Sequence, residues 1–271
     1  MNFYERPELK ALVARLEDLI ALKSRGELGV SQFLTPKELH IAEEYLKRAG
    51  TAYAIFGGYP SAERARVYLL PDYMEELSAS GGTDDFEEKL SEYGYSTDIT
   101  LLKINASGYR RLTHRDFLGS VLGLGVERSV MGDIVLLDAE GKEAVLACDS
   151  TISDFFLGEL AFVANDKVKV TVADGRSISF PERRTEPVHD TVATPRLDAV
   201  VAALCGFSRE RARGAVEAGL VELDFEREER ADKTVNAPSL ISVRGYGRYK
   251  ILSLSDKTRK GRYRLEAEKY V

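Results

Sequence analysis

The chain is poor in the residue types that build metal and redox sites. Among its 271 residues there are two cysteines, three histidines and no tryptophan. Cys148 and Cys205 lie in apolar runs without metal-ligand spacing, so we interpret them as buried thiols. The three histidines are far apart in the sequence. We therefore expect neither a metal site nor a cofactor, and nothing indicates an oxidising compartment.

Long apolar runs are also missing. No stretch approaches the roughly 20 residues that a membrane-spanning helix needs, and no signal-peptide pattern is present. Hydrophobic residues make up 44% of the chain and charged residues 30%, which is typical of an ordinary folded protein. We expect a monomeric, cytoplasmic protein without a membrane partner.

Charge is distributed unevenly along the chain. The net charge is −6 overall, but residues 181–271 hold 18 Lys and Arg against 15 Asp and Glu, a net of +3. The remainder has a net of −9, and the segment 75–96 alone holds seven acids and one lysine. The C-terminal part is therefore the expected footprint for an anionic partner. Its modest charge favours shape-selective binding over general adhesion.

The segment 195–251 carries the patterns on which our functional hypothesis depends. It opens with an apolar stripe at helical spacing, formed by Leu197, Val200, Val201 and Leu204. We expect Thr194 to cap this helix, Pro195 to occupy its first turn and Gly206 to end it. A second helix then follows within a few residues.

The second helix begins with an unusual placement of cations. Ser208 is suited to cap it, and Arg209 and Arg213 are four residues apart on one face. Cations near the start of a helix oppose its macrodipole unless an anion lies nearby. A phosphate would turn this placement into a binding site. The alternative is a solvated face, paired with Glu210 and Glu217.

The residues 241–251 alternate as a single strand with two different sides. One side holds Ile241, Val243, Tyr249 and Ile251. The other holds Ser242, Arg244, Tyr246, Arg248 and Lys250. Gly245 and Gly247 would let another backbone approach closely. A surface of cations around an aromatic ring suits phosphate contact and base stacking.

The order of short motifs in this segment resembles the S4 RNA-binding domain. They are Arg196-Leu197-Asp198, Ser208-Arg209, Gly219-Leu220-Val221 and the run from Val243 to Arg248. Two turn positions differ, since Asp224 replaces the usual Asn and Ser239-Leu240 the usual Gly-Asp. The expected RNA contacts are Arg183, Arg184, Arg196, Ser208, Arg209, Arg211, Arg213, Lys233, Arg244, Tyr246, Arg248, Lys250, Arg259, Lys260 and Arg262. The last three lie in a basic hairpin tip that would straddle phosphates; a bare solvated turn is the alternative.

The rest of the chain predicts two further domains of an α+β protein. Residues 1–74 form an α/β domain with helices over 8–23 and 35–49 and strands over 52–56 and 66–70. Residues 75–96 form an acidic linker with a short helix at 85–93. Residues 97–180 follow the order βαββαβ, an RRM-like plait. RNA-recognition motifs stack bases on strand aromatics, which these strands lack, so we expect the topology only. Residues 181–271 form the S4-like domain.

Motifs spread over nearly the whole chain resemble the bacterial YlmH family. They are Gly57-Gly58-Tyr59, Ala62-Glu63-Arg64, Pro71-Asp72-Tyr73, the run from His114 through Gly125 to Gly132-Asp133-Ile134, and the basic tail from Thr258 to Arg264. The resemblance implies a non-enzymatic RNA-binding protein. It also implies ribosome-associated quality control, with rRNA of the large subunit, peptidyl-tRNA on an obstructed subunit and nascent-chain quality-control factors as partners.

Two other functions remain open from the sequence. S4 domains are often appended to rRNA-modifying enzymes of the pseudouridine synthase or methyltransferase type. His114-Arg115-Asp116 copies a catalytic tripeptide, but Thr113 and Asp116 have the spacing of a helix-capping box. In the second alternative, the acidic N-terminal part binds a protein partner and the basic part is incidental.

Overall fold

A computed structural model describes residues 7–80, 83, 85–181, 184–258 and 261–270. The chain has mixed helices and antiparallel sheets, as the prediction of an α+β fold requires. It divides into two compact units, Met1–Pro181 and Glu182–Val271. None of the described helices combines the length and the apolar composition that a membrane crossing requires.

The first half of unit 1 packs two helices on a small sheet. Its elements are α1 (Pro7–Lys23), β1 (Gly29–Val30), α2 (Pro36–Ala49), β2 (Tyr53–Phe56) and β3 (Arg66–Leu69), and the strand order is β1-β3-β2. Thr35 and Glu38 form a capping box, in which the main-chain N–H of Thr35 donates to Glu38 at 2.8 Å. The predictions of two helices and of the strands β2 and β3 are confirmed. Strand β1 was not predicted, because two residues are too few to show the alternating pattern of a strand.

The acidic segment 75–96, for which we expected a linker, packs on unit 1 at the residues that the structure describes. It contains a 3-10 helix, Asp72–Ser80, and the predicted short helix, α3 (Phe86–Glu92). Leu77, Phe86 and Leu90 of this segment are buried, as is Met74 immediately before it. The Phe86 ring contacts Phe56 and Tyr68 with ring centroids 5.3 and 5.1 Å apart. The abundant acids hid these regularly placed apolar residues.

The second half of unit 1 is built on one five-stranded antiparallel sheet. Its elements are β4 (Ile99–Ala106), α4 (His114–Gly123), β5 (Met131–Leu136), β6 (Glu143–Asp149), α5 (Ser153–Glu159), β7 (Phe162–Val163) and β8 (Asp166–Ala173). The strand order is β5-β6-β4-β8-β7. The six elements predicted from the sequence are all present. The helices bury Phe117, Val121 and Phe156 against one face of this sheet.

The first half of the unit covers part of the other face of the sheet. Phe33 packs there with Leu101, Val145 and Ala147. The contact is so close that a Cβ added to Gly132 would lie 2.8 Å from the Phe33 ring. Gly58 also approaches this face, with a backbone φ of +97°, and its added Cβ would lie 3.0 Å from Leu101. Glycine is required at both positions by this approach.

A carboxylate at the edge of this sheet joins the two halves of unit 1. Asp133 on β5 accepts a hydrogen bond of 2.8 Å from the Tyr59 hydroxyl. It also accepts bonds from the main-chain N–H groups of Glu63, at 2.6 Å, and Arg64, at 3.1 Å. One side chain thereby fixes the loop that follows β2. Several motifs of the family resemblance therefore lie in a structural joint.

A buried ion pair reinforces the same joint. Arg66 on β3 is 4% exposed, and its guanidinium donates to the carboxylate of Asp149 at the end of β6. It also donates to the main-chain carbonyl of Asp98, and it lies 4.8 Å from the centre of the Phe33 ring. Burial acts to raise the pKa of Asp149. Hydrogen bonds from Thr151 and Arg66 outweigh burial and hold that pKa below its ordinary value.

Unit 2 packs two helices on one face of a six-stranded antiparallel sheet. Its elements are β9 (Thr185–Val192), α6 (Leu197–Cys205), α7 (Arg209–Glu217), β10 (Val221–Leu223), β11 (Glu226–Arg227), β12 (Ser239–Val243), β13 (Gly247–Lys257) and β14 (Tyr263–Tyr270). The strand order is β11-β10-β12-β13-β14-β9. The predicted apolar stripe of α6 is buried in the core with Ile241, Tyr249 and Ile251.

Two local predictions in unit 2 are wrong. Residues 241–251 are not one strand but a hairpin, in which Ser242 pairs with Arg248 and Ile241 with Tyr249. The positive φ of Gly245, 83°, allows the turn. Because facing residues of a hairpin share a side, the predicted buried set is still correct. At α6, the N-cap residue is Arg196 rather than Thr194.

Replacing Asp133 by alanine should destabilise unit 1. The change leaves the Tyr59 hydroxyl and two main-chain N–H groups without their acceptor, which we expect to lower the free energy of unfolding by about 2–4 kcal/mol. Urea unfolding followed by circular dichroism measures the loss. Asp18→Ala, at an exposed position of α1, is the matched control. A change at Asp133 no larger than the control's would contradict this account of the joint.

Candidate nucleic-acid interface

Helix α7 presents arginines because its short apolar stripe faces the core. The Ser208 side chain caps it by accepting from the main-chain N–H of Arg211 at 3.2 Å, as predicted. Ala212 and Val216 are fully buried. Ala215 is half-buried, and the other positions, which include Arg209, Arg211 and Arg213, are exposed. The sequence thus fixes which side of α7 meets solvent.

Arg211 lies over two aromatic rings that contact each other. Its guanidinium carbon lies 4.1 Å from the centre of the Phe207 ring and 5.6 Å from that of Tyr246. The guanidinium also donates to the Tyr246 hydroxyl. The two rings are 4.6 Å apart at 87°, and Tyr246 is 41% exposed. We call these three residues the Arg211 cluster; it offers a charged plane and an aromatic edge to a ligand.

The hairpin turn between β12 and β13 lies beside α7. The main-chain N–H of Arg244 donates to the carbonyl of Leu220 at 2.9 Å, just after the helix. The buried Tyr249 hydroxyl donates to the carbonyl of Tyr246 at 3.3 Å. These bonds fix the backbone of the turn while the Arg244 side chain remains exposed. The exposed side of α7 and the turn 244–246 form one surface, the helix–turn surface.

Arg209 pairs with Asp198 and not with Glu210 or Glu217, the partners that the solvated-face alternative named. Its guanidinium donates to Asp198 at 2.8 Å, and Arg196 donates to the same carboxylate at 3.3 Å. The Asp198 side chain is 5% exposed, while those arginines are 47% and 43% exposed. Burial acts to raise the pKa of Asp198, but the bonds from Arg209 and Arg196 outweigh it and lower that pKa. The local charge is therefore +1 rather than +2.

Arg213 pairs with Glu217 at 2.7 Å, one helical turn away. This is the pairing that the alternative named for the face of α7. Both side chains are more than half exposed. Exposed pairs of this kind contribute little to stability. Arg213 can therefore exchange its carboxylate for a phosphate at small cost, whereas Arg209 has a stronger competing partner.

An open groove of about 460 Å³ lies between α6, β9 and the end of the β13–β14 hairpin. Its floor is made of small residues, among them Ala199, Ala202 and Gly206, and Arg209 and Arg262 lie along it. Arg262 is fixed to β9, because it donates to the Thr191 hydroxyl at 2.8 Å and to the Thr191 carbonyl. The groove adjoins the Asp198 ion pairs.

The remaining predicted contacts do not converge on the helix–turn surface. Arg248 and Lys250 alternate with the buried Tyr249 and Ile251, so they lie on the sheet face opposite the helices. Lys233 and Arg184 are exposed in other parts of unit 2. Arg183, Arg259 and Lys260 lie outside the described residues.

Sequence reasoning missed Phe207. An available signal was its position immediately before the capping Ser208, where an apolar residue commonly packs back on a helix.

The tripeptide His114-Arg115-Asp116 has a structural role in unit 1. Asp116 accepts from the Thr113 N–H at 2.8 Å and from its hydroxyl at 2.7 Å. These bonds lower the pKa of Asp116, so its carboxylate is committed to the cap of α4.

Metal chemistry has no visible site in the part of the chain that the structure describes. No group of three or more His, Cys, Asp or Glu side chains there is arranged to hold an ion. Cys148 is buried, and burial raises its pKa to about 12. A thiol of that acidity remains protonated and unreactive.

Two family models match the chain and together cover more than half of it. One, described as "YlmH, N-terminal", matches residues 8–74. The other, described as "Putative RNA-binding domain in YlmH", matches residues 84–176. The chain belongs to the YlmH family.

Two individual proteins are similar to this chain. "Ribosome-associated protein quality control protein P2" of Bacillus subtilis is 28% identical over 248 residues, which cover 92% of this chain and 90% of that protein. The solved structure of "Cell division protein ylmH from Streptococcus pneumoniae" has a TM-score of 0.47 and 22% identity, and it covers 64% of this chain and 96% of its own.

Replacing Asp198 by asparagine should destabilise unit 2 in a pH-dependent way. Because its pKa is lowered in the folded state, the carboxylate stabilises the fold above its ordinary pKa of 3.8, and this stabilisation is lost as pH falls through the folded pKa. The arginines are half exposed, so we expect Asp198→Asn to lower the free energy of unfolding by about 1–3 kcal/mol at neutral pH.

Urea unfolding of both proteins, from neutral pH down to acid, measures this difference. It should shrink below about pH 4. The exposed Asp232 gives the control substitution Asp232→Asn, which should change stability little at any pH. A difference between the wild type and Asp198→Asn that stays constant with pH would contradict the assignment of Asp198.

Proposed function

We propose that this protein is a non-enzymatic RNA-binding factor that associates with the ribosome. The observation that carries the proposal is the helix–turn surface, where Arg211, Tyr246 and Arg244 lie on a backbone fixed by hydrogen bonds. Cations and aromatic rings on one fixed surface suit phosphate contact and base stacking. The description of the family model supports RNA binding, and the name of the Bacillus subtilis relative supports association with the ribosome.

The architecture of both units supports the finer fold assignments in this proposal. In unit 2, two short helices separated by the left-handed Gly206 pack on a sheet that contains the basic hairpin. That arrangement agrees with an S4-like domain. In unit 1, the strand order β5-β6-β4-β8 places the first and third strands of the βαββαβ order at the centre. That order agrees with an RRM-like plait.

The charge balance supports a preformed RNA site over general adhesion. Arg196 and Arg209 share Asp198, and Arg213 shares Glu217. A ligand gains from these arginines only if its phosphates lie where they can compete with the carboxylates. Folded RNA of fixed shape meets that requirement better than a flexible strand. We propose rRNA of the large subunit as this partner, which would place the protein in the cytoplasm.

We further propose that the protein binds one particular state of the ribosome. Membership of the YlmH family and the quality-control name of the relative favour an obstructed large subunit that still carries peptidyl-tRNA. On such a subunit both rRNA and tRNA would be available as anionic ligands. Nascent-chain quality-control factors are the further partners that we propose.

Co-sedimentation with 50S, 30S and 70S particles tests the proposal. The 50S particles are supplied with and without peptidyl-tRNA, at two salt concentrations. We expect enrichment on the 50S particle with peptidyl-tRNA, and a loss of binding with added salt because phosphate contacts release counterions. Salt-insensitive association would instead favour a protein partner, and no association would contradict the proposal.

Charge reversal at Arg244 should weaken this association by about tenfold or more, since it removes a cation and adds a repulsive charge at the helix–turn surface. Arg25→Glu, at an exposed position of unit 1, introduces the same charge change as a control. Both variants are first compared with the wild type by circular dichroism. Equal binding by Arg244→Glu and the control would remove the helix–turn surface from the site.

A further inference from the structure

An exposed aromatic residue in unit 1 is not explained by folding. Tyr109 lies in the loop between β4 and α4 and is 90% exposed. No other described large apolar or aromatic side chain is as exposed. Its ring contacts no other ring among the described residues. We call residues 107–112 the tyrosine loop.

The tyrosine loop is fixed at both ends although Tyr109 is exposed. The main-chain N–H of Tyr109 donates to the Ser107 hydroxyl oxygen at 3.2 Å, and the N–H of Ser107 donates to the carbonyl of Lys167 at 3.2 Å. The N–H of Leu112 donates to the carbonyl of Glu140 at 3.1 Å. The ring is therefore presented to solvent on an ordered backbone, which lowers the entropic cost of binding.

Basic residues lie close to Tyr109 in the chain. The exposed residues of the loop and of the start of α4 include Arg110, Arg111, His114 and Arg115. The side chain of Lys142 passes close to Gly108, 3.4 Å from the position of an added Cβ. Arg110 is partly engaged by Asp116 at 3.4 Å. Across the described residues, the Arg111 and Arg115 side chains have neither a hydrogen bond nor an ion pair.

Part of the sheet face of the same domain is occupied by the protein itself. RNA-recognition motifs bind bases on the open face of their sheet. Here Phe33 packs on that face against Leu101, Val145 and Ala147, and an added Cβ at Gly132 would lie 2.8 Å from its ring. The buried joint at Asp133 and Arg66 holds this cover in place. The covered part of this face is therefore closed to a base, whereas the tyrosine loop is exposed.

We propose that the tyrosine loop is a second RNA contact of this protein, which stacks an unpaired base on Tyr109 and binds the adjacent phosphates with Arg111 and Arg115. The inference rests on the proposed function in one respect, namely that the ligand is RNA. It adds the residues, the position in unit 1 and the preference for an unpaired base. Two contacts on one chain would raise the affinity for an RNA that can meet both.

Binding of two labelled RNA hairpins to the full chain tests this proposal. One hairpin has an eight-nucleotide unpaired loop, and the other has the same length and charge but a closed tetraloop. We expect Tyr109→Ala to weaken binding of the open-loop hairpin by about fivefold or more, because one stacked base is lost. Tyr109→Phe keeps the ring and should bind like the wild type. The closed hairpin should respond little to either substitution.

Charge provides a second, independent arm of the test. Arg111→Glu should weaken binding of both hairpins and reduce the slope of affinity against salt by about one phosphate contact. Arg25→Glu again provides the same charge change at an exposed position elsewhere in unit 1. All variants should unfold at the wild-type urea concentration, since these side chains make few contacts.

The outcomes separate this proposal from the proposed function. If Tyr109→Ala and Arg111→Glu bind both hairpins like the wild type, the tyrosine loop is not an RNA contact, whatever happens on ribosomes. If these variants lose ribosome association but keep hairpin binding, the loop contacts a protein and the proposal is wrong. If the wild type fails to bind ribosomes while the hairpin results hold, only the ribosomal function falls.

Discussion

The carboxylate of Asp133 is the constraint on which the organisation of unit 1 depends. It accepts three hydrogen bonds from the loop after β2 and so attaches one half of the unit to the sheet of the other. Gly58 and Gly132 allow the close contact that these bonds require. The same contact covers part of the sheet face, while the arginines of the tyrosine loop remain exposed.

In unit 2, carboxylates pair with the exposed arginines and so reduce their general attraction for anions. Asp198 is buried and holds Arg209 and Arg196, while Glu217 holds Arg213 loosely at the surface. The arginines thus differ in the carboxylate that a phosphate must replace. Such a graded surface distinguishes ligands by where their phosphates lie rather than by total charge.

Local signals predicted most of the elements correctly. The capping boxes at Thr35 and Thr113 and the left-handed Gly206 are all present, because each depends on a few neighbouring residues. The hairpin at 244–246 was missed because a tight turn preserves the alternation of a strand. The packing of 75–96 was hidden by its acids. Partners such as Asp198 for Arg209 depend on tertiary contact, which spacing alone does not contain.

The motif glycines illustrate the same limit. Gly57-Gly58 has the composition of a turn, yet the approach of Gly58 to Leu101 arises from a sheet more than forty residues further along the chain. A single sequence shows that a side chain is missing but not what occupies its place. The exposure of Tyr109 is equally invisible, since nothing in the residues 107–112 distinguishes a presented ring from a buried one.

The stacked geometry of Arg211 has a kinetic consequence. A long side chain usually samples many rotamers and must be immobilised as a ligand arrives. Phe207 and Tyr246 already restrict the guanidinium of Arg211, so in the proposed complex with RNA this residue has fewer rotamers to lose than Arg244. Arg211 would then act as the first anchor of a complex, and the neighbouring arginines would exchange their carboxylates only after the RNA is in register.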